Sequence, residues 1–345
     1  MLALRWHGRE DVRLDEIDPP PPPGPGEVQI DVAWCGICGT DVEEYRAGPI
    51  FVPVDEPNPL TGRKAPLTLG HEFSGRVVEI GPGVDALRVG DRVAVDTLIF
   101  CGSCYWCQRH QVSLCDRLAA LGLMADGGLA EKCNAPAYSC VLAPDTVSDE
   151  AAALAETLAV AIRALRRGRL RIGERVVVVG GGAVGQMAVQ AALAGGAASV
   201  TLVEPMEGRR NLALTSGATS AVTPEDLPPG QADLAVECSG NGAAVAEAVQ
   251  AVRKGGRVVL VGISGKPIAL NPLTLVATEK EMIGSLSHVY DEDFRAAVAL
   301  LGREAVIGDL IVSDRVPLAR ALEDGLLALL RNPEDHLKIL ISPRD

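Results

Sequence analysis

The sequence predicts an α/β protein in two parts, a mostly-β region and a doubly wound parallel sheet, on three observations. The first 150 or so residues break into short β-branched runs separated by Gly and Pro. The region that follows strings unbroken Val/Ile/Leu runs between Ala-rich helical segments, the pattern of strands buried on both faces. One of those runs ends in a G-x-G-x-x-G turn that opens a helix. A chain of 345 residues also exceeds what one core usually supports, so two cores are expected.

In chain order, "MLALRWHGREDVRLDEIDPPPPPGPGEVQIDVAWCGIC" holds short strands around a stiff proline connection at Pro19–Gly26. "FSGRVVEIGPGVDALRVGDRVAVD" is two alternating runs around a turn. Near residue 150 the texture changes: "DEAAALAETLAVAIRALRRG" has helical spacing, with Ser148 ahead of it as a cap and Gly168 after it. The runs "RVVVVG", "SVTLVE", "ADLAVEC", "GGRVVLVGI" and "EMIGSL" then read as parallel strands. After about Asp293 the pattern is helix, short strand, helix and a last strand "HLKILIS". No repeat of 20–50 residues is present.

A net charge of -13 repels phosphate backbones and anionic lipid, which argues against a nucleic-acid or membrane partner. No apolar run approaches the ~18–20 residues of a membrane span, and "MLALRWHGREDVRLDE" turns charged early, so a cytoplasmic protein is expected. Nine cysteines cannot all pair within the chain; metal binding or burial has to account for them.

The turn "VVVVGGGAVG" places Gly180, Gly182 and Gly185 at the junction of strand and helix. The first permits the turn, the second lets a pyrophosphate approach, and the third lets helix and strand pack closely. Glu204 ends the next strand, where a carboxylate accepts the adenosine ribose hydroxyls and repels a 2′-phosphate, so NAD is favoured over NADP. Arg209 and Arg210 nearby temper that preference. The expected cofactor contacts are Gly180, Gly182, Ala183, Val184, Gly185, Glu204 and Arg209, with Gly262 and Ile263 at the end of "GGRVVLVGI".

Cys101, Cys104, Cys107 and Cys115 follow C-x2-C-x2-C-x7-C spacing, and four thiolates on one loop suit a tetrahedral zinc with no open position, hence a structural one. A catalytic zinc must lie elsewhere. Among five histidines, His71 in "LGHEFSGRVVEIG" stands between a turn glycine and a strand, beside Glu72; His7, His110, His288 and His336 read as surface or packing residues. Cys38 lies in a glycine-flanked turn, with Cys35 earlier as a small packing residue. Glu156, in an otherwise apolar helix, is costly to bury without a partner such as a metal.

Together, "GHEFSGRVVEIGPGV", the four-cysteine lobe, "CGICGTD", "LAETLAVAIRAL" and "VVVVGGGAVG" resemble the zinc-dependent medium-chain dehydrogenase/reductase family over essentially the whole chain. "EYRAGPIFVPVDEPNPLTGRKAPLTLGHEFSG", "GISGKPIALNP" and "IGSL" look most like its 2,3-butanediol dehydrogenase branch, with sorbitol and threonine dehydrogenases as relatives. The resemblance implies a GroES-like catalytic domain of residues 1–153 and 295–345, with its zinc lobe at 101–115, and a Rossmann NAD-binding domain of residues 154–294. It implies an active site in the cleft and a homodimer or homotetramer. Cys38, His71 and Glu156 match the polyol-type zinc ligands, and Glu72 the neighbouring carboxylate that binds directly or through water. Thr40 matches the hydroxyl that takes the substrate proton and passes it through the nicotinamide ribose. The expected reaction is hydride transfer between a secondary alcohol (a vicinal diol, α-hydroxyketone or polyol) and NAD.

The chain departs from its relatives at Glu43, where a histidine usually closes the proton relay: Glu43 is the outer base, or a surface residue with bulk water finishing the relay. Thr157 and Arg163 replace a common proline and histidine without removing a ligand. The insertion Gly48–Pro66 borders the cleft, with Ile50 and Phe51 lining it, or is a surface loop; His288 and Tyr290 reach the nicotinamide side or lie at the surface. Competing functions are a sugar, amino-alcohol or natural-product dehydrogenase on the same scaffold, a non-catalytic nucleotide-binding protein, and a zinc-free reductase.

Overall fold

In the computed structural model, residues 1–344 are described and fall into two compact units. The first comprises Met1–Glu156, Val289–Gly302 and the segment from Val312 onward; the second comprises Thr157–His288 and Arg303–Ile311.

The first unit is built on a seven-stranded, mostly antiparallel sheet. Its spine runs Cys140–Leu142, Arg92–Val95, Glu72–Ile80, Glu27–Gly36, Lys338–Ser342 and Val312–Pro317, with Lys132–Pro136 also paired to Glu27–Gly36. Alternation along Glu27–Gly36 buries Val28, Ile30 and Val32 in a core shared with Phe73, Val77, Val93, Ile339 and Ile341. The C-terminal strand completes this sheet from more than three hundred residues away in sequence.

The second unit is a six-stranded parallel sheet in the spatial order Ser220–Val222, Ser199–Val203, Arg175–Val179, Ala232–Glu237, Val252–Leu260, Glu281–Gly284. Numbered along the chain this is 3-2-1-4-5-6, the Rossmann order, with the chain reversing direction beside the strand that carries the glycine turn.

Three stretches differ from the sequence expectation. Residues 154–156, expected in the second unit, fall in the first. Residues 289–294, expected in the second unit, pack in the first, where Tyr290 meets Phe100 and Tyr138 at ring centroid distances of 5.4 and 5.5 Å and His110 Nε2 lies 2.9 Å from Asp291 Oδ1. Residues 303–311, expected in the first unit, pack in the second: the Ile307 amide donates to Gln190 Oε1 at 2.8 Å. The long helix expected after Ser148 is two, Asp149–Ala153 and Ala155–Arg167. The Ser148 hydroxyl accepts the Ala151 amide at 3.0 Å as expected of a cap, and the Leu154 amide reaches only three residues back to Ala151, tightening the turn where the axis breaks. Among the described residues, no helix is long and apolar enough to cross a membrane.

Candidate active site

Sheet register assembles the candidate site. Glu27–Gly36 and Glu72–Ile80 run antiparallel with Gly36 opposite Glu72, so the chain leaving one strand at Cys38 meets the chain entering the other at His71. Gly70 makes that entry possible: its φ is +96°, and a Cβ there would come within 2.6 Å of Cys35 Sγ and 2.7 Å of the Leu129 amide. Ligand atoms of Cys38, His71 and Glu72 consequently lie within 4.8 Å of one another, with His71 and Glu72 buried.

Two charged residues without an expected role hold this group. Asp41, fully buried on the helix Gly39–Ala47, accepts the Cys38 amide at 2.9 Å through Oδ2, while Oδ1 faces His71 Nδ1 at 3.5 Å. Burial pushes the His71 imidazole down, but the charges of Asp41 and Cys38 outweigh it and hold the group well above its usual range. Lys338, also buried, donates to both oxygens of Glu72 at 2.8 and 2.6 Å and to the Ile37 carbonyl at 3.2 Å. Burial works against its ammonium, yet Glu72 and Cys38 hold it above its ordinary value.

The remaining candidates fall as follows. Thr40 Oγ1 lies 3.7 Å from Cys38 Sγ. Glu43 is exposed, and both its oxygens accept from Arg46 Nη2, at 2.9 and 2.8 Å. Glu156 is half-buried at the start of Ala155–Arg167 and stands outside the group of three, although its charge acts on the Lys338 ammonium. Cys35 is a buried packing thiol, as its position in the sequence suggests. His288 is fully buried beside Ser287, not at the surface, and Tyr290 belongs to the aromatic cluster with Phe100 and Tyr138.

Zinc fits these donors. A thiol, an imidazole and a carboxylate converge, and the field that favours a proton on His71 equally favours a cation at its ring. Among the described residues, the buried Asp41 Oδ1 and His71 Nδ1 make no hydrogen bond at standard geometry and face each other at 3.5 Å; with the other ring nitrogen on a metal, Nδ1–H would face that carboxylate. The four-cysteine lobe fits too. At a Zn–S length of about 2.3 Å, tetrahedral geometry separates sulfurs by about 3.8 Å. Cys101 and Cys107 sulfurs are 3.9 Å apart and Cys104 and Cys107 sulfurs 3.5 Å. Backbone amides of Cys104, Cys101 and Arg117 point at the sulfurs of Cys101, Cys115 and Cys115 at 3.3, 3.3 and 3.4 Å, the donors a thiolate cluster needs. Hydrogen bonds from Ser103 pull Cys101 down to about 5, while burial pushes Cys107 up to about 12.

In the second unit, Gly180 has φ +97° and Gly182 caps the helix Ala183–Ala194. A Cβ at Gly185 would run into the Gly180 carbonyl, whereas one at Gly182 would enter open space, where a diphosphate on the helix N-terminus would stand. Glu204 is buried at the strand end, accepting amides of Gly181 at 2.6 Å and Met206 at 2.9 Å. Gln186 ties this turn to the Arg209 carbonyl at 2.8 Å. Gly262 packs on Gly240 too closely for a side chain, and Ile263 is 71% exposed.

Two family models match the chain: the alcohol dehydrogenase GroES-like domain over residues 24–145 and the zinc-binding dehydrogenase over residues 183–303. A (R,R)-butanediol dehydrogenase of Bacillus subtilis is 36% identical, covering 99% of this chain and 100% of that protein. The chain belongs to the zinc-binding alcohol dehydrogenase family. The crystal structure of a 2R,3R-butanediol dehydrogenase from Bacillus subtilis matches this dehydrogenase with a TM-score of 0.91 at 34% identity, over 99% of both chains. A zinc-binding dehydrogenase from Sinorhizobium meliloti 1021, bound to NADP, matches at 0.88 and 30% identity, and an alcohol dehydrogenase from Escherichia coli CFT073, complexed with NADH, at 0.88 and 26%, each over 99% of both chains. The dehydrogenase is thus an oxidoreductase of CH–OH groups with the GroES-like and Rossmann architecture of its family.

Asp41 and Lys338 are the residues beside this group to which the motifs assign no role. Asp41 carried a signal, standing three residues after Cys38 where a helix N-terminus takes an acidic cap. Lys338 carried a weaker one, a single charge opening the apolar run "KILI".

Proposed function

We propose that this dehydrogenase interconverts a secondary alcohol bearing a neighbouring oxygen, of the vicinal-diol or α-hydroxyketone class, and its ketone, with NAD(H) as hydride carrier. The observation that carries the reading is the convergence of Cys38, His71 and Glu72 within 4.8 Å, with the Thr40 hydroxyl 3.7 Å from the Cys38 sulfur. Cys38, His71 and Glu156 would hold a catalytic zinc, with Glu72 beside them; Cys101, Cys104, Cys107 and Cys115 would hold a structural one. When bound, the zinc supplies a Lewis acid for the alcohol oxygen and the nicotinamide supplies the hydride acceptor.

Asp41 orients the His71 ring through Nδ1, and Lys338 neutralises Glu72, leaving the group less anionic than its ligands alone would make it. Thr40 Oγ1 takes the substrate's hydroxyl proton. The ion pair of Glu43 with Arg46 supports solvent as the end of that relay. Glu204 keeps a carboxylate at the strand end, which favours NAD(H) over NADP(H). The butanediol dehydrogenase names of similar proteins support the diol class. Family resemblance supports a homodimer or homotetramer in the cytoplasm, and the charge of -13 speaks against nucleic-acid or membrane partners.

The test is NADH formation at 340 nm with a panel of diols, polyols and amino alcohols, on enzyme of measured zinc content. Turnover of 2,3-butanediol or acetoin that disappears with the labile zinc is expected. Full zinc loading and NADH binding without turnover of any alcohol would overturn the reading.

A further inference from the structure

The helix Gly39–Ala47 buries two carboxylates three residues apart, Asp41 and Glu44, each fully shielded from solvent. Asp41 serves Cys38 and His71. Glu44 serves a different segment: its Oε1 accepts the amides of Ile50 at 2.9 Å and Val52 at 3.4 Å, and its Oε2 accepts the amide of Phe51 at 2.9 Å. The Glu44 backbone carbonyl accepts Trp6 Nε1 and the Gly48 amide, each at 3.0 Å, and a Cβ at Gly48 would strike that carbonyl. A carboxylate on three successive amides is a charge-assisted clamp on one tight turn.

That turn presents Phe51. Its neighbour Val52 enters the main core, whereas Phe51 joins a separate apolar cluster with Leu98, Ala120, Leu123, Leu118 and Met124. The cluster is linked to the His71 backbone through its chain neighbours: Leu98 follows Thr97, whose hydroxyl donates to the His71 carbonyl at 3.2 Å, and the amide of Leu121, next to Ala120, donates to the Thr97 carbonyl at 2.9 Å. Glu44 itself lies on the helix that begins one residue after Cys38. The Phe51 turn is therefore tied to the candidate zinc ligands from both sides, through Glu44 and through Leu98–Thr97.

We propose that Glu44 is a positioning residue for substrate selection: its carboxylate fixes the Ile50–Val52 turn so that Phe51 and its apolar neighbours form a rigid wall for the carbon substituents of the alcohol, favouring compact ones. The proposal rests on the dehydrogenase reading above. Glu44→Gln keeps the shape but turns one acceptor oxygen into a donor facing amide donors, which releases the turn. Phe51→Ala removes the wall while leaving the clamp.

The experiment compares kcat and KM for 2,3-butanediol and the bulkier 1-phenyl-1,2-propanediol in wild type, Glu44→Gln, Phe51→Ala and the double variant, with hydrogen exchange of the 50–52 amides and zinc content measured alongside. The expected result is a preference for the compact diol that falls about 10-fold to 100-fold in both single variants. The change should lie chiefly in KM, zinc should be retained, the amides should exchange faster in Glu44→Gln, and the double variant should lose little more than either single. An unchanged preference in Phe51→Ala overturns the proposal even if Glu44→Gln fails to fold. So does a folded Glu44→Gln that loses kcat equally for both diols. A wild-type enzyme that turns over no alcohol overturns the dehydrogenase reading itself, and is distinguished by that.

Discussion

Replacing Lys338 with methionine should leave the Glu72 carboxylate buried without its ammonium, and the structure sets the size of the loss. The two side chains are 3% and 1% exposed, and Lys338 donates to both Glu72 oxygens at 2.8 and 2.6 Å, so solvent screening takes almost nothing from the pair. Removing one member of such a pair costs about 3–5 kcal/mol, because the remaining charge loses its compensation. In a unit of roughly 200 residues, each kcal/mol moves Tm by about 2–4 °C, so a fall of about 6–20 °C is expected. Calorimetry of enzyme with verified zinc content, at pH 7, measures it. The double variant Glu72→Gln, Lys338→Met tests the cause: with neither charge present, most of the loss should be recovered. A single-variant fall below about 2 °C, or a double variant no better than the single, would refute the reasoning, since either result means the carboxylate has other compensation.

Three further outcomes are expected. Asp41→Asn should weaken zinc retention by about 10-fold to 100-fold in a chelator competition, because the amide no longer attracts the His71 ring nitrogen it faces. Gly182→Ala should leave Tm unchanged while raising the NADH dissociation constant about 10-fold or more, since its Cβ enters open space, whereas Gly185→Ala should unfold the turn by driving into the Gly180 carbonyl. For Asp233, burial raises the carboxyl, but the Arg175 amide and the Arg253 guanidinium outweigh it and hold the group below its usual value. Its contribution is therefore present above the unfolded value near pH 4 and lost as pH falls through the folded one. Asp233→Asn should cost about 1–2 kcal/mol in urea unfolding at pH 7 and progressively less as pH is lowered below the unfolded value; a loss that does not shrink with pH would show that charge is not responsible.

What was legible in the sequence was whatever the chain keeps contiguous. Four cysteines within fifteen residues and the G-x-G-x-x-G glycines within six have their geometry set locally, since a single loop or turn brings each group together. The parallel sheet was equally plain, because strands buried on both faces have no polar side to disguise them. The unit boundaries were harder. Residues 303–311 pack with the second unit through the Ile307 amide and Gln190, a contact spanning 117 positions that leaves no local periodicity.

Lys338 and Glu44 show why buried charges around the candidate site escape such reading. A lysine opening an apolar strand announces a problem, since burying an ammonium alone costs far more than an apolar residue would. It does not announce the solution, which stands 266 positions away and becomes adjacent only when the last strand pairs beside Glu27–Gly36. Glu44 is less visible still, because its neighbour Glu43 is chemically identical and exposed. Helical phase separates them: Glu44 shares the buried face of Asp41 at a spacing of three, and Glu43 turns to solvent and Arg46. Once Asp41 is placed against His71, that phase leaves Glu44 nowhere to go but inward, and a buried carboxylate without a cation must find amides. The turn carrying Phe51 supplies them.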